Sequence, residues 1–209
     1  MERRNRSNLL KLFGSGFLVL LGACGQIGGS GQCGGVEDSG ACVIIEDIQP
    51  TYESGGGNTS DVDARQDLCT NVSTGEVTDI EPFTDHSASV TISNNSLPGG
   101  NANLTPDVTL TNYTIVYSLN SCPSGESCPD LEPVSVSQTL FIPANGNLTT
   151  TLKFVDLAKK AEYSDGVSSL LIYPSYTATY TFSGTDIFNN KVAISGAAEF
   201  TIGDYDNCQ

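Results

Sequence analysis

The chain has 209 residues, enough for one domain plus a removable leader, and carries 24 acidic residues against nine basic ones. A formal net charge of −15 repels phosphate backbones, which excludes nucleic acid as an expected partner. Seven cysteines in a chain of this length indicate an oxidising compartment.

The first 23 residues read as an export leader. Arg3, Arg4, Arg6 and Lys11 precede the apolar run Leu12 to Leu21. Ten apolar residues fall far short of the roughly 20 that span a bilayer, so the run is a secretory core and not a spanning helix. Arg3-Arg4 is followed by Asn5-Arg6-Ser7, without the apolar residues of a twin-arginine signal, so general secretion is the expected route.

The leader ends in Leu21-Gly22-Ala23-Cys24. This resembles the bacterial lipobox, in which an apolar residue and two small ones precede an acceptor cysteine. The resemblance implies that the Cys24 thiol receives diacylglycerol, that the leader is cut before it, and that the new amine is acylated. Several acyl chains together anchor firmly, at about 0.8 kcal/mol per buried CH₂. Gly25 is not the Asp that retains many lipoproteins at the inner membrane, so an outer-membrane destination is favoured over the inner one. Cleavage removes four of the nine basic and one of the 24 acidic residues, leaving five against 23 and a net charge near −18. Such a domain is held off anionic headgroups, and the N-terminal lipid is its expected membrane contact.

With Cys24 lipidated, six cysteines remain, Cys33, Cys42, Cys69, Cys122, Cys128 and Cys208, an even number that allows three bridges in 15 pairings. Cys122-Pro-Ser-Gly-Glu-Ser-Cys128 invites a local bridge, because Pro and Gly turn the chain back. Cys208 is expected to clip the last strand to Cys42 or Cys69, and a Cys33–Cys42 bridge would pinch a small loop. Residues 24–41, rich in Gly and Ser, read as a lipid-bearing spacer, and residues 42–209 as the disulfide-bonded domain.

In that domain the period is two. Val43 to Ile48 is β-branched and apolar; Ala88, Val90 and Ile92 alternate with Ser and Thr. Val108 to Leu119 places Tyr113, Ile115, Tyr117 and Leu119 on one face. Val134 to Ile142 ends at the turn Pro143-Ala-Asn-Gly146, followed by Leu148 to Val155. Only Asp156 to Tyr163 looks helical, for a turn or two. Ser169 to Tyr173, Tyr176 to Ser183 and Val192 to Ile202 complete about seven or eight strands, the expected content of an all-β sandwich. The Tyr-rich strand from Tyr176, the turn Gly184 to Asn190 and the strand from Lys191 resemble the last hairpin of bacterial immunoglobulin-like and fibronectin-type-III-like modules. There Asn189 takes a place that often holds Gly, and Asn tolerates positive φ. The resemblance implies an immunoglobulin-like sandwich, although the chain has no Trp.

Catalytic motifs are missing. His86, the single histidine, precedes a strand beside Asp85, and no Gly-x-Ser-x-Gly elbow accompanies it. It reads as a loop histidine bonded to backbone or water. No P-loop, dinucleotide fingerprint or zinc-protease motif occurs, so an enzyme is not expected and no cofactor is required. The one site suggested by residue type is for calcium, which takes six to eight oxygen ligands from flexible loops. Asp61, Asp63 and Asp67 form one acidic loop, and Asp204, Asp206 and Asn207 another; a Cys69–Cys208 bridge would draw the two together. Carbohydrate binding is the other ligand alternative, with tyrosines in place of Trp. The leading expectation is a lipid-anchored, non-catalytic module that binds another protein of the cell envelope.

Overall fold

The computed structural model describes residues 33, 40–51, 60–71 and 73–205. Ten strands and one α-helix follow in the order β1 (Ala41–Pro50), β2 (Asp61–Asp63), β3 (Leu68–Thr70), β4 (Val77–Ile80), β5 (His86–Ser96), β6 (Val108–Ser121), β7 (Val134–Ile142), β8 (Gly146–Val155), α1 (Leu157–Gly166), β9 (Ser175–Asp186) and β10 (Lys191–Gly203). They form a three-stranded sheet β1-β5-β8, a five-stranded sheet β2-β10-β9-β6-β7 and a short ribbon β3-β4. The all-β expectation holds.

Alternation in sequence becomes alternation in space. Ala88, Val90 and Ile92 of β5 face Tyr113 and Ile115 of β6, Tyr176 to Phe182 of β9 and Phe200 and Ile202 of β10 in one core. Leu119, expected on the inner face of β6, is exposed near the strand's end. Two corrections follow from the described elements. Ser169 to Tyr173 is turn and irregular chain, not a strand, while α1 runs longer than expected, to Gly166. Asp156 caps that helix by accepting from the Lys159 amide, which fixes its start. Strands β2, β3 and β4 are too short and too polar to announce themselves by period.

The strand directions give the sandwich two distinct ends. At one, called here the Gly40 end, lie the start of β1 paired with the end of β5 (Ala41 with Ser96), the β7–β8 turn and the β9–β10 turn. Asn94, buried on β5, stitches this end by donating to the carbonyls of Pro106 (2.8 Å) and Pro143 (3.3 Å). The two turns use positive φ at Asn145 (52°) and Asn189 (65°), as the sequence anticipates for the latter. At the other, the helix end, lie α1, the Cys122–Cys128 loop and the end of β10. Gly184 is obligatory between them: a Cβ there would sit 2.0 Å from the Thr109 carbonyl oxygen, where β6 bulges.

The tyrosines of the five-stranded sheet do more than fill space. β8 is the edge of the smaller sheet and bulges against β5, because His86 pairs with Val155 and Ser87 with Lys153, leaving Phe154 over. The Lys153 carbonyl accepts from the Tyr180 hydroxyl (2.5 Å), its amide donates to the Tyr113 hydroxyl (3.4 Å), and the Phe154 carbonyl accepts from the Tyr117 hydroxyl (2.6 Å). Buried backbone groups without a partner would be costly. Tyr180→Phe keeps the ring and removes the donor, so it should cost about 1–3 kcal/mol in urea unfolding. The exposed hydroxyl of Thr181 on the same strand should be lost at no more than ~0.5 kcal/mol in Thr181→Ser-to-Ala comparison.

Candidate functional site

The acidic residues singled out from the sequence converge at the helix end. What gathers them is strand pairing: β2 runs parallel to β10, with Asp61 opposite Thr201 and Asp63 opposite Gly203. The Ala64 amide extends the ladder by donating to the Gly203 carbonyl at 2.7 Å. Gly203 leaves room for the Tyr173 ring, whose atoms a Cβ would meet at 2.4 Å, and the Tyr173 hydroxyl donates to the Asp204 carbonyl. Asp61, Asp63, Asp67 and Asp204 thus share one end of the sandwich, whereas Asp206 and Asn207 lie outside the described residues.

Their roles differ. Asp61 is exposed and accepts from the Thr201 hydroxyl (2.9 Å). Asp67 and Asp204 flank Arg65, whose guanidinium lies 3.0 Å from one and 3.5 Å from the other. A guanidinium already occupies the place a cation would take between them, and among the described residues no group of three His, Cys, Asp or Glu side chains is arranged to hold a metal. Asp63 is only 1% exposed; its Oδ1 accepts from the amides of Arg65 and Tyr205, both at 3.2 Å.

Beside Asp63 stands a residue that sequence inspection did not single out. Glu81 is also 1% exposed, and its Oε1 accepts from the Asp67 amide at 2.8 Å. Asp63 Oδ2 is buried, and the Glu81 carboxyl stands close enough to act on it. Burial, reinforced by the Glu81 charge and against the pull of the Arg65 amide, pushes the Asp63 carboxyl up to about 7. Asp204 is also raised, by burial first and then by the Asp67 charge, with Arg65 opposing. No sequence signal could mark Glu81, since only the loop after β4 brings it under β2.

Lys160 is the second unheralded group. Both Lys159 and Lys160 are buried, and Lys160 is fully so, with Nζ 4.6 Å from the centre of the Phe83 ring. Burial lowers its pKa to about 7. His86, expected in a loop, instead opens β5, is buried, and packs its ring 5.8 Å from that of Phe154. It lies inside the core and offers no accessible base.

The cysteines settle in part. Cys122 bonds Cys128 as the loop suggested, and Cys33 bonds Cys42. The Cys42 option for Cys208 is thereby overturned. Cys69 is itself disulfide-bonded, while Cys208 and Cys24 lie outside the described residues. The strand tyrosines 113, 117, 176 and 180 are core residues and form no sugar platform. No described helix is long and apolar enough to cross a membrane. No protein-family model matches the chain, and neither a curated protein nor a solved structure does.

The two buried ionisable groups give stability opposite slopes with pH. Between about pH 4 and 7 folded Asp63 holds a proton that the unfolded carboxyl has lost, so its contribution falls as pH rises. Between about 7 and 10.5 the unfolded Lys160 amine holds a proton that the folded one lacks, so its contribution rises with pH. Each slope is at most about 1.4 kcal/mol per pH unit for one proton. Urea unfolding from pH 4 to 10 should show the acid-side slope shrink in Asp63→Asn and the alkaline-side slope shrink in Lys160→Met.

Proposed function

We propose that this chain is an exported lipoprotein: cut before Cys24, acylated there, directed to the outer membrane, and carrying an immunoglobulin-like sandwich that binds another envelope protein without catalysing a reaction. The observation that carries the reading is Leu21-Gly22-Ala23-Cys24 directly behind a basic and apolar leader. The immunoglobulin-like assignment draws support from the sheet order. β1-β5-β8 facing β10-β9-β6-β7 corresponds to strands A, B and E against G, F, C and C′ of that sandwich. Bridged cysteines in the domain agree with an oxidising compartment. Cys208 is assigned to Cys69, because the Tyr205 amide, three residues before Cys208, bonds Asp63 on the segment leading to Cys69. That assignment leaves Cys24 free for lipid.

A non-catalytic role fits the burial of His86 and of the strand tyrosines in the core of an acidic domain. Calcium at the helix end is the second reading, motivated by the β2–β10 pairing that brings Asp61 and Asp63 beside Asp204, and it requires Arg65 to release Asp67 and Asp204. A ligand that binds only the folded state raises its melting temperature. Calcium and EDTA should therefore separate the melting curves if the second reading holds, and coincident curves remove it.

Mass spectrometry of nonreduced protein purified from its own host's membranes tests the leading reading. The expected result is a chain beginning at an acylated Cys24 with a Cys69–Cys208 cross-linked peptide, and a Cys24→Ser variant that keeps its leader. A bare thiol at position 24 would overturn the proposal.

A further inference from the structure

The two ends of the sandwich differ in chemistry, and the tether enters at one of them. Gly40 lies against the segment Leu104–Pro106: a Cβ built on it would be 3.7 Å from the Pro106 ring and 3.9 Å from the Leu104 carbonyl oxygen. The Ile187 amide donates to the Asp107 carbonyl at 3.2 Å, which places the β9–β10 turn beside the same segment. Phe141 pairs with Thr109, two residues further along. Four large apolar side chains at this end stand in the open: Leu104 at 72% exposure, Phe188 at 66%, Ile187 at 60% and Phe141 at 55%. Apolar groups gathered in this way mark contact with a protein or a membrane.

Large apolar side chains, Leu157, Leu171 and Tyr173, are exposed at the helix end as well, so what distinguishes the two ends is charge. In the described loops of the Gly40 end (97–107, 143–145 and 187–190, with the strand ends they join) the carboxylates are Asp107 and Asp186. Both are committed: Asp107 accepts from the Ala144 amide at 2.7 Å, and buried Asp186 accepts from the amides of Phe188 and Asn190 inside its turn. At the helix end, Asp85, Glu126, Asp130, Glu132 and Asp165 are exposed. The helix end is repelled by anionic headgroups more strongly than the Gly40 end, whose two carboxylates are tied into its own turns and whose β10 begins at exposed Lys191.

The tether is short. Cys33 is bridged to Cys42 at the start of β1, so the covalent path from Cys24 reaches the domain after nine residues and not after 18. Nine residues extend at most roughly 30 Å, and a Gly-rich chain of that length averages roughly 17 Å. The tether carries the Gly40 end to the height of the headgroups.

We propose that the Gly40 end, through Leu104, Ile187, Phe188 and Phe141, rests on the bilayer in which the Cys24 lipid is anchored, holding the acidic helix end outward. The proposal rests on the lipoprotein reading and adds an orientation to it. The contact is apolar in character, since Glu37 and Asp38 in the spacer give no attraction to anionic lipid.

The test uses the mature acylated protein in phosphatidylcholine nanodiscs containing a gadolinium-headgroup lipid, with backbone amides read by NMR. Amides of residues 102–107 and 187–190 should broaden severalfold more than those of residues 83–85, 126–132 and 165–168. The triple variant Leu104→Ser/Ile187→Ser/Phe188→Ser should lose that gradient while its core amides keep their chemical shifts. Equal broadening at the two ends, or a gradient unchanged in the variant, overturns the orientation. If the variant does not fold, the wild-type gradient alone decides. A protein without acyl chains overturns the lipoprotein reading together with this one, whereas an acylated protein with no gradient overturns only the orientation.

Discussion

Three hydroxyl groups hold the two sheets in register. Tyr113, Tyr117 and Tyr180 project from the five-stranded sheet, cross the core and bond the backbone of Lys153 and Phe154 on the edge strand of the smaller sheet. Hydrophobic burial would allow the sheets to slide over each other, because it has no direction. Hydrogen bonds to an irregular stretch of backbone have direction, and they exist at one register only. The bulge that frees Phe154 and the tyrosines that satisfy it are parts of one arrangement. Burial raises the titration of Tyr117 and Tyr180, so their hydroxyls stay protonated donors through the neutral range, while the Tyr113 hydroxyl accepts.

That registration also fixes what the ends contain. Once β8 is held, its bulge sets the start of α1, where the Leu157 amide donates to Asp85 and the Lys159 amide to Asp156. The helix in turn carries Lys160 inward and presents Ser164 to the Ala64 carbonyl, next to the end of β2. Asp63 and Glu81 meet under that crossing. A pair of buried carboxyls and a buried amine are unusual in a small acidic domain. They concentrate at the helix end, while the Gly40 end is stitched by neutral amides such as Asn94 and Asn145.

The disulfides follow the same logic. Cys122–Cys128 closes a Pro- and Gly-containing loop at the helix end. Cys33–Cys42 instead ties the start of the first strand to a cysteine nine residues before it.

How much was legible depends on whether a feature is local. Alternation over Ala88–Ile92 and Tyr176–Phe182, the Asn turns at 145 and 189, and the Cys122–Cys128 loop are properties of adjacent residues, and each appears in the fold as read. Adjacent residues decide such features because backbone dihedrals and side-chain period act over a few bonds. Ser169 to Tyr173 misled for the same reason: β-branched and aromatic residues favour a strand, but no neighbouring strand was left to pair with them. Short β2 appears only because β10 offers it an edge, and that pairing, more than any sulfur bridge, brings Asp63 to Asp204. The sequence by itself determined the strand alternation, the Asn turns and the local Cys122–Cys128 pairing. Only the tertiary structure decided that Arg65 would stand between Asp67 and Asp204, that Glu81 would be buried beside Asp63, and that Lys160 would be buried against the Phe83 ring. Those outcomes depend on which distant segments exclude water from each other, and that is a property of the packed chain, not of any window along it.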